Sequence, residues 1–138
     1  MTRTPIGLAL NRAARIVARA FDEALAQAGG SLPVWLVLLN LTSDRIAMQR
    51  ALAETLGLRE ATLSHHLSAM EADGLVTRRR DDGNRRVQVV ELTDRGRAQF
   101  ARLRDAAIAF DTRLRTGIAD EELARVDDVL ARLAANVD

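Results

Sequence analysis

The chain of 138 residues contains no cysteine, which excludes disulfide bonds, thiol redox sensing and cysteine-ligated zinc. Lysine is also absent, so all 20 basic residues are arginine, a bias that we attribute mainly to coding composition. Aromatic residues are few, namely Phe21, Trp35, Phe100 and Phe110. The chain is instead rich in Ala, Leu, Arg and Glu. These side chains lose little rotamer freedom in helices, so the composition favours a helix-rich fold.

Long apolar runs are absent as well. None reaches the roughly 18–20 residues that a membrane span requires, and residues 1–15 lack the apolar core of a signal peptide. We therefore expect a mature, cytoplasmic protein without membrane contact. The length predicts one domain, residues 1–138. A net charge of only +1 says little about partners, so the distribution of charge matters more.

Apolar residues at helical spacing predict a first helix from Ile6 to Ala28, which two glycines end. A second helix over residues 33–41 has Ser31 as its N-cap and Pro33 in its first turn. This helix is apolar nearly all round, so we expect it to be deeply buried.

After a loop at residues 42–44, the pattern predicts two short helices, two strands and two longer helices. The short helices cover about 48–56 and 60–72, and the strands cover 75–80 and 87–92, with a turn at 81–84. Thr93 is predicted to cap a helix that reaches about Arg115, and Asp120 to cap the last helix. The apolar stripes of the first and last two helices exceed what one small module covers, which indicates a partner subunit.

Two helices around a tight turn, followed by a basic hairpin, predict a winged helix-turn-helix DNA reader over residues 44–92. On the fourth helix, Leu63, His66, Leu67 and Met70 share one face, which we expect to pack inward. A recognition helix needs short polar side chains that reach base edges in the major groove. The candidates are Arg59, Thr62, Ser64, His65 and Ser68.

The hairpin concentrates five arginines against two aspartates. Strand alternation sends Arg78 and Arg80 to one side and Arg79 to the other. Arg85 and Arg86 follow the turn, where they can straddle a phosphate backbone or enter a minor groove. The alternative is a solvated charged hairpin, but its position directly after a helix-turn-helix favours DNA contact by Arg79, Arg85 and Arg86.

These segments resemble the MarR family of bacterial transcription regulators. The likeness consists of LA-x-x-LGL at 52–58, T-x-S through GLV at 62–76, a basic wing ending in LT at 86–93, and LT-x-x-G at 92–96. It extends along the chain and includes Trp35. Two positions depart from the family pattern: Asn84 stands where an acidic residue is usual, and His66 where an aliphatic one is usual.

The resemblance implies an α+β, mostly helical fold, with a winged helix-turn-helix and dimerisation helices at residues 1–28 and 94–138. It also implies a homodimer that binds double-stranded DNA at a pseudo-palindromic operator, usually as a repressor. Many relatives release DNA on binding a small aromatic acid, in a pocket where the dimer helices meet the reader.

Five residues are candidates for such an effector pocket. Trp35 offers an indole N–H and a flat face, His66 a donor, and Arg15 or Arg19 a partner for a carboxylate. Phe100 is the fifth candidate. Each has a plainer alternative: Trp35 and His66 as core residues, and the arginines as a solvated stripe on the first helix.

Three other functions are alternatives. A metal-responsive regulator of the ArsR type shares the SHHL string, but the adjacent His65 and His66 diverge on a helix and no cysteine supports them, so we expect no metal. A winged-helix protein-interaction adaptor is compatible with the low net charge. An enzyme is the least favoured class, since no nucleophile–base set and no cofactor motif is present.

Overall fold

The computed structural model describes residues 3–138 and confirms a mostly helical α+β fold. Its elements are α1 (Ile6–Gln27), α2 (Leu32–Leu41), β1 (Ile46–Met48), α3 (Gln49–Leu56), α4 (Glu60–Ala72), β2 (Val76–Arg80), β3 (Gln88–Leu92), α5 (Asp94–Leu114) and α6 (Asp120–Ala135). The six predicted helices and both hairpin strands are present, with bounds that shift by a residue or so. The predicted ranges that begin at residue 1 include residues 1 and 2, which lie outside the described part.

Two compact units divide the chain. One ends at Ala107 and contains α1 to β3 together with the first part of α5. The other, Ile108–Asp138, contains the rest of α5 and α6.

The sheet has a third strand that the sequence did not predict. β1 pairs antiparallel with β3, which also pairs antiparallel with β2, giving the order β1-β3-β2. The sequence pattern places residues 46–48 in the loop and at the start of the third helix, but that helix begins at Gln49. A three-residue strand is too short for alternation to reveal, and it forms because β3 offers it an edge.

Side-chain caps fix two of the helix starts. Ser31 accepts a hydrogen bond from the Val34 amide at 3.4 Å, and Thr93 accepts one from the Gly96 amide at 2.9 Å, both as predicted. The prediction for the last helix was wrong by one residue, because Asp120 is its first residue and not its cap. There the Ala119 amide donates to the carboxylate of Glu122 at 3.2 Å, which satisfies a free amide of the helix start.

The core of the first unit gathers around α2, α4 and the sheet. Its largest fully buried side chains are Leu25, Val37, Leu38, Leu41, Leu63, Leu67, Met70, Val76, Val90, Leu92 and Leu103. The expectation that α2 is buried all round was wrong, since Leu32 and Leu39 on the same helix remain exposed. The helix therefore buries one face and presents apolar surface on the other.

Other large apolar side chains also lie at the surface. They are Ile6, Leu8, Leu10 and Ile16 on α1, and Val126, Val129 and Leu130 on α6. Folded chains seldom leave so many in adjacent turns of a helix unless another surface covers them. Within residues 3–138 no single helix has the length and apolarity to cross a membrane, although α1 and α2 meet the test jointly across a 73° bend.

Candidate nucleic-acid interface

The face of α4 that points away from the core carries the predicted DNA-reading side chains. Leu63, Leu67 and Met70 are buried beneath the helix, as their spacing predicts. Thr62 and His65 are exposed on the opposite side. Arg59 is the exposed N-cap of the helix and makes no side-chain cap bond. The start of α4 thus offers a guanidinium, a hydroxyl and an imidazole to a groove.

Ser64 and Ser68, also predicted to read bases, are both bonded to the wing. The guanidinium of Arg78 on β2 donates to the Ser64 hydroxyl at 3.1 Å and to the Ser68 hydroxyl at 2.8 Å. It also contacts the Glu71 carboxylate at 3.5 Å, and the Arg78 amide donates to the other oxygen of Glu71 at 3.1 Å. The Arg78 side chain is only 15% exposed. Arg78 therefore joins α4 to the wing, a role that strand alternation alone did not indicate.

The tip of the wing is ordered by hydrogen bonds to the backbone. Asp81 accepts from the Asn84 amide and Asn84 accepts from the Arg86 amide, both at 3.1 Å. Arg80 donates to the carbonyl of Arg85 at 2.9 Å. Asn84 thus supplies an acceptor to Arg86 through its amide oxygen at the position where an acidic residue was expected. Neither Arg86 nor Asp82 takes part in an ion pair within residues 3–138.

Four exposed arginines surround this region with free guanidinium groups. Arg59, Arg79, Arg85 and Arg86 are exposed, and none forms a side-chain hydrogen bond or ion pair within the described part of the chain. A guanidinium without an internal partner is available for bidentate contacts with phosphate or guanine. The arginines therefore add positive charge beside the outward face of α4.

Arg45 is a supporting residue that the sequence did not reveal. It is the only non-glycine residue in the described chain with a positive φ, at 64°. Its Nε donates to the Leu92 carbonyl at 3.0 Å, and its Nη2 lies 2.7 Å from the Asp94 carboxylate. The left-handed conformation is unfavourable for a residue with a β-carbon. The bonds hold it there, and they tie the entry of β1 to the junction of β3 and α5.

Gln99 is a second supporting residue that sequence reasoning missed. It is buried on α5, and its amide nitrogen donates to the carbonyls of Ala28 and Gly29 at 3.4 and 3.0 Å. Its amide oxygen accepts a hydrogen bond from Arg102. The side chain thereby satisfies carbonyls at the end of α1 and fixes α5 against the α1–α2 turn.

The structure brings together two of the five effector candidates. The rings of Trp35 and Phe100 stack with centroids 5.3 Å apart and an angle of 8° between their planes, and both pack against the core. His66 is half-buried, and its ring lies edge-on to that of His65. Arg15 and Arg19 are exposed on α1 and have no hydrogen bond or ion pair within residues 3–138.

A cluster able to hold a metal ion is not found in the described residues, where no three His, Asp or Glu side chains come together suitably. The ArsR-type alternative therefore has no ligand set in this part of the chain.

Comparison with known proteins agrees with this geometry. The family model described as "MarR family" matches residues 31–87. An uncharacterized HTH-type transcriptional regulator of Bacillus subtilis, YdgJ, is 30% identical over 102 residues, which are 74% of this chain and 62% of that protein. The aligned part of the chain thus spans less than two thirds of this curated relative.

Two solved relatives resemble nearly the whole chain. A MarR-family transcriptional regulator from Rhodococcus sp. RHA1 is 28% identical with a TM-score of 0.79, covering 94% of this chain and 91% of its own. The transcriptional repressor CouR, solved on a 23-mer DNA duplex, is 30% identical with a TM-score of 0.83, covering 94% and 92%. CouR from Rhodococcus jostii RHA1 was also solved with p-coumaroyl-CoA, at 27% identity and a TM-score of 0.77, covering 95% and 92%.

The fold, the helix-turn-helix and the basic wing define a winged-helix protein. The chain belongs to the MarR family of transcriptional regulators. The family and these neighbours are regulators, not enzymes.

Proposed function

We propose that the protein is a homodimeric, sequence-specific DNA-binding repressor that acts in the cytoplasm. The observation that carries the proposal is the outward face of α4 beside four exposed arginines without internal partners. In this proposal residues 44–92 form the DNA-binding region. Arg59, Thr62, Ser64, His65 and Ser68 serve the major groove, while Arg79, Arg85 and Arg86 contact the backbone or the minor groove. The DNA-bound repressor CouR, which shares the fold, supports this assignment.

The dimer is proposed from the exposed apolar side chains. α1 and α6 each leave several of them uncovered, and residues 1–28 and 94–138 are the proposed dimerisation helices. A second copy buries the same surface symmetrically, the commonest arrangement among homo-oligomers. Two identical readers then require an operator with two half-sites related by a pseudo-twofold axis.

The test of DNA binding is fluorescence anisotropy with purified full-length protein. One labelled duplex comes from upstream of the protein's own gene, the other is its scrambled version, and each is titrated at low and moderate salt. We expect tight binding of the upstream duplex with two subunits per site. Equal weak binding of both duplexes that disappears with salt would reduce the interaction to nonspecific electrostatics and contradict the proposal, leaving the adaptor.

Release by a small aromatic acid is the further part of the proposal. The stacked Trp35 and Phe100 provide a flat aromatic surface, His66 lies half-buried, and Arg15 and Arg19 provide positive charge on α1. CouR with bound p-coumaroyl-CoA supports this chemistry by its likeness to the chain. Because Trp35 is the sole tryptophan, its fluorescence reports directly on ligands at this surface.

The effector is tested with p-coumarate and p-coumaroyl-CoA as probes. We expect one of them to change Trp35 fluorescence and to release the upstream duplex over the same concentration range. Phe100→Leu should weaken both responses in parallel, whereas Phe110→Leu serves as the aromatic control outside the proposed pocket. Fluorescence and DNA binding that do not change with either probe would contradict an effector of this class.

A further inference from the structure

A cleft of about 500 Å³ lies between α3 and the wing, apart from the proposed effector residues. The start of α3 forms one wall, the end of the wing forms the other, and the first residue of α4 closes part of the floor. This volume lies within the range of small-molecule sites in proteins. The lining combines apolar, amide and charged side chains, so the cleft is suited to a ligand that is partly polar.

Two glutamine side chains in this lining have unmatched acceptors. Gln49 and Gln88 both line the cleft, and the Oε1 atom of each is buried without a hydrogen-bond partner among the described residues. Gln49 as a whole is only 8% exposed. The pairing of Met48 with Val89 places the two glutamines opposite each other one step beyond the β1–β3 ladder. Since buried acceptors are rarely left unpaired, this pair calls for a group that donates hydrogen bonds.

The charges of the lining are arranged in opposite pairs. Arg50 and Glu54 on α3 lie 3.8 Å apart and neutralise each other. Glu60 and Arg86, from α4 and the wing, have no ion-pair partner within residues 3–138. The cleft therefore presents one carboxylate and one guanidinium that are both available to a ligand.

We propose that this cleft binds a small zwitterion, namely an α-amino acid with an apolar side chain. Its ammonium group donates to the two glutamine amide oxygens and pairs with Glu60. Its carboxylate pairs with Arg86, and its side chain packs on Met48 and Ala51. A ligand with one charge satisfies only one end of this arrangement, whereas the amino acid satisfies both and supplies the missing donors.

Occupancy of the cleft bears on DNA binding through Arg86. The same guanidinium is proposed to contact DNA, so a carboxylate bound to it competes with phosphate. Only this coupling rests on the proposed function, because binding in the cleft requires no DNA. The two are therefore measured separately.

Binding is tested by isothermal titration calorimetry of the full-length protein without DNA. The probes are L-leucine, 3-methylbutylamine, which lacks the carboxylate, and 4-methylpentanoate, which lacks the amine. We expect L-leucine to bind about tenfold or more tightly than either analogue, since each analogue lacks one charge-assisted hydrogen bond. Absence of binding at millimolar L-leucine, or equal affinity for all three probes, would overturn the proposal.

Variants of the lining locate the site. Glu60→Gln and Gln49→Met should each weaken L-leucine binding by about tenfold, while Glu23→Gln on the exposed surface of α1 should leave it unchanged. Gln49→Met replaces a buried unpaired amide by an apolar group of similar shape, so folding should be preserved, as circular dichroism would check. Unchanged affinity in both lining variants would place the ligand elsewhere and refute the site.

Coupling is then measured by anisotropy on DNA with and without saturating L-leucine. We expect weaker DNA binding in its presence and no such effect in Glu60→Gln. If L-leucine binds but DNA affinity is unchanged, the coupling through Arg86 is wrong. If the protein binds no DNA at all but still binds L-leucine, the proposed function fails while the cleft site stands.

Discussion

The guanidinium of Arg78 on β2 donates hydrogen bonds to the hydroxyls of Ser64 and Ser68 on α4, at 3.1 and 2.8 Å. With the Glu71 carboxylate 3.5 Å away, this side chain connects the base of the wing to the recognition helix. A helix whose outer side chains read bases needs a fixed rotation about its axis. The hydrogen bonds of Arg78 provide such a restraint, and they give Ser64 and Ser68 a structural partner in addition to their predicted contact with DNA.

Replacing Arg78 by methionine should therefore impair both folding stability and selective DNA binding. Loss of hydrogen bonds to a charged group, with Ser64 left half-buried, predicts a free energy of unfolding lower by about 1–3 kcal/mol. Affinity for the upstream duplex should fall more than affinity for the scrambled duplex, because the orientation of α4 is no longer fixed. Urea denaturation and anisotropy measure the two effects.

Arg79→Met is the matched control, since this neighbouring arginine is exposed and its side chain makes no hydrogen bond or ion pair within residues 3–138. It should leave stability unchanged and weaken binding of both duplexes alike, as removal of a phosphate-binding side chain does. Similar stability losses in the two variants would show that the hydrogen bonds of Arg78 do not contribute to the fold as argued.

Arg86→Ala should weaken binding to every DNA sequence and flatten its salt dependence. The exposed guanidinium has no internal partner, so its removal costs little stability and acts through DNA. Removing one arginine that neutralises a phosphate lowers the slope of log affinity against log salt by about 0.9. Anisotropy at several salt concentrations measures that slope, with Arg125→Ala on α6 as the control. An unchanged slope in Arg86→Ala would show that Arg86 does not bind the DNA backbone.

Sequence periodicity predicted the elements that it could encode locally. The inward face of α4 with Leu63, Leu67 and Met70 was correct, because spacing on a helix fixes which side chains share a side. The caps at Ser31 and Thr93 were correct because a cap acts within its own first turn. These signals depend on residues a few positions apart.

What the sequence could not predict depends on contacts between distant residues. β1 exists only because residues 46–48 meet the edge of β3, and Gln99 bonds carbonyls about seventy positions away. The bonds from Arg78 to Ser64 and Ser68 cross from a strand to a helix, so neither pattern alone contains them. Likewise, the cleft between α3 and the wing has no signature in either segment.

Gln99→Leu should destabilise the protein although it keeps a side chain of similar size. Gln99 is buried, and the change leaves the carbonyls of Ala28 and Gly29 without their donor. An unsatisfied buried polar group costs about 1–3 kcal/mol, so the denaturation midpoint should fall. Gln27→Leu on the exposed surface of α1 is the control and should have little effect. Equal midpoints for Gln99→Leu and the unaltered protein would mean that these bonds contribute no net stability.

Gly96→Ala tests the close approach on which the start of α5 depends. A β-carbon at residue 96 would lie 2.1 Å from the carbonyl oxygen of Leu75 and 2.7 Å from a methyl group of Leu92. The first of these atoms belongs to the backbone and cannot turn aside, so α5 must shift away from the sheet. Such overpacking costs typically about 1–3 kcal/mol and occasionally more. The same shift would disturb the bond between Thr93 and the Gly96 amide, so we expect a lower melting temperature together with weaker DNA binding.

Gly7→Ala supplies the control within the same chain. Gly7 lies in α1, and an added β-carbon there meets no atom within 4 Å. Alanine is the better helix former by up to about 1 kcal/mol, so this variant should be neutral or slightly more stable. A glycine-to-alanine change is thus expected to act in opposite directions at two positions, because only one of them faces a backbone carbonyl. Equal melting temperatures for the two variants would show that the junction of β3 and α5 tolerates a side chain, and that the approach of Leu75 to Gly96 does not restrain the helix.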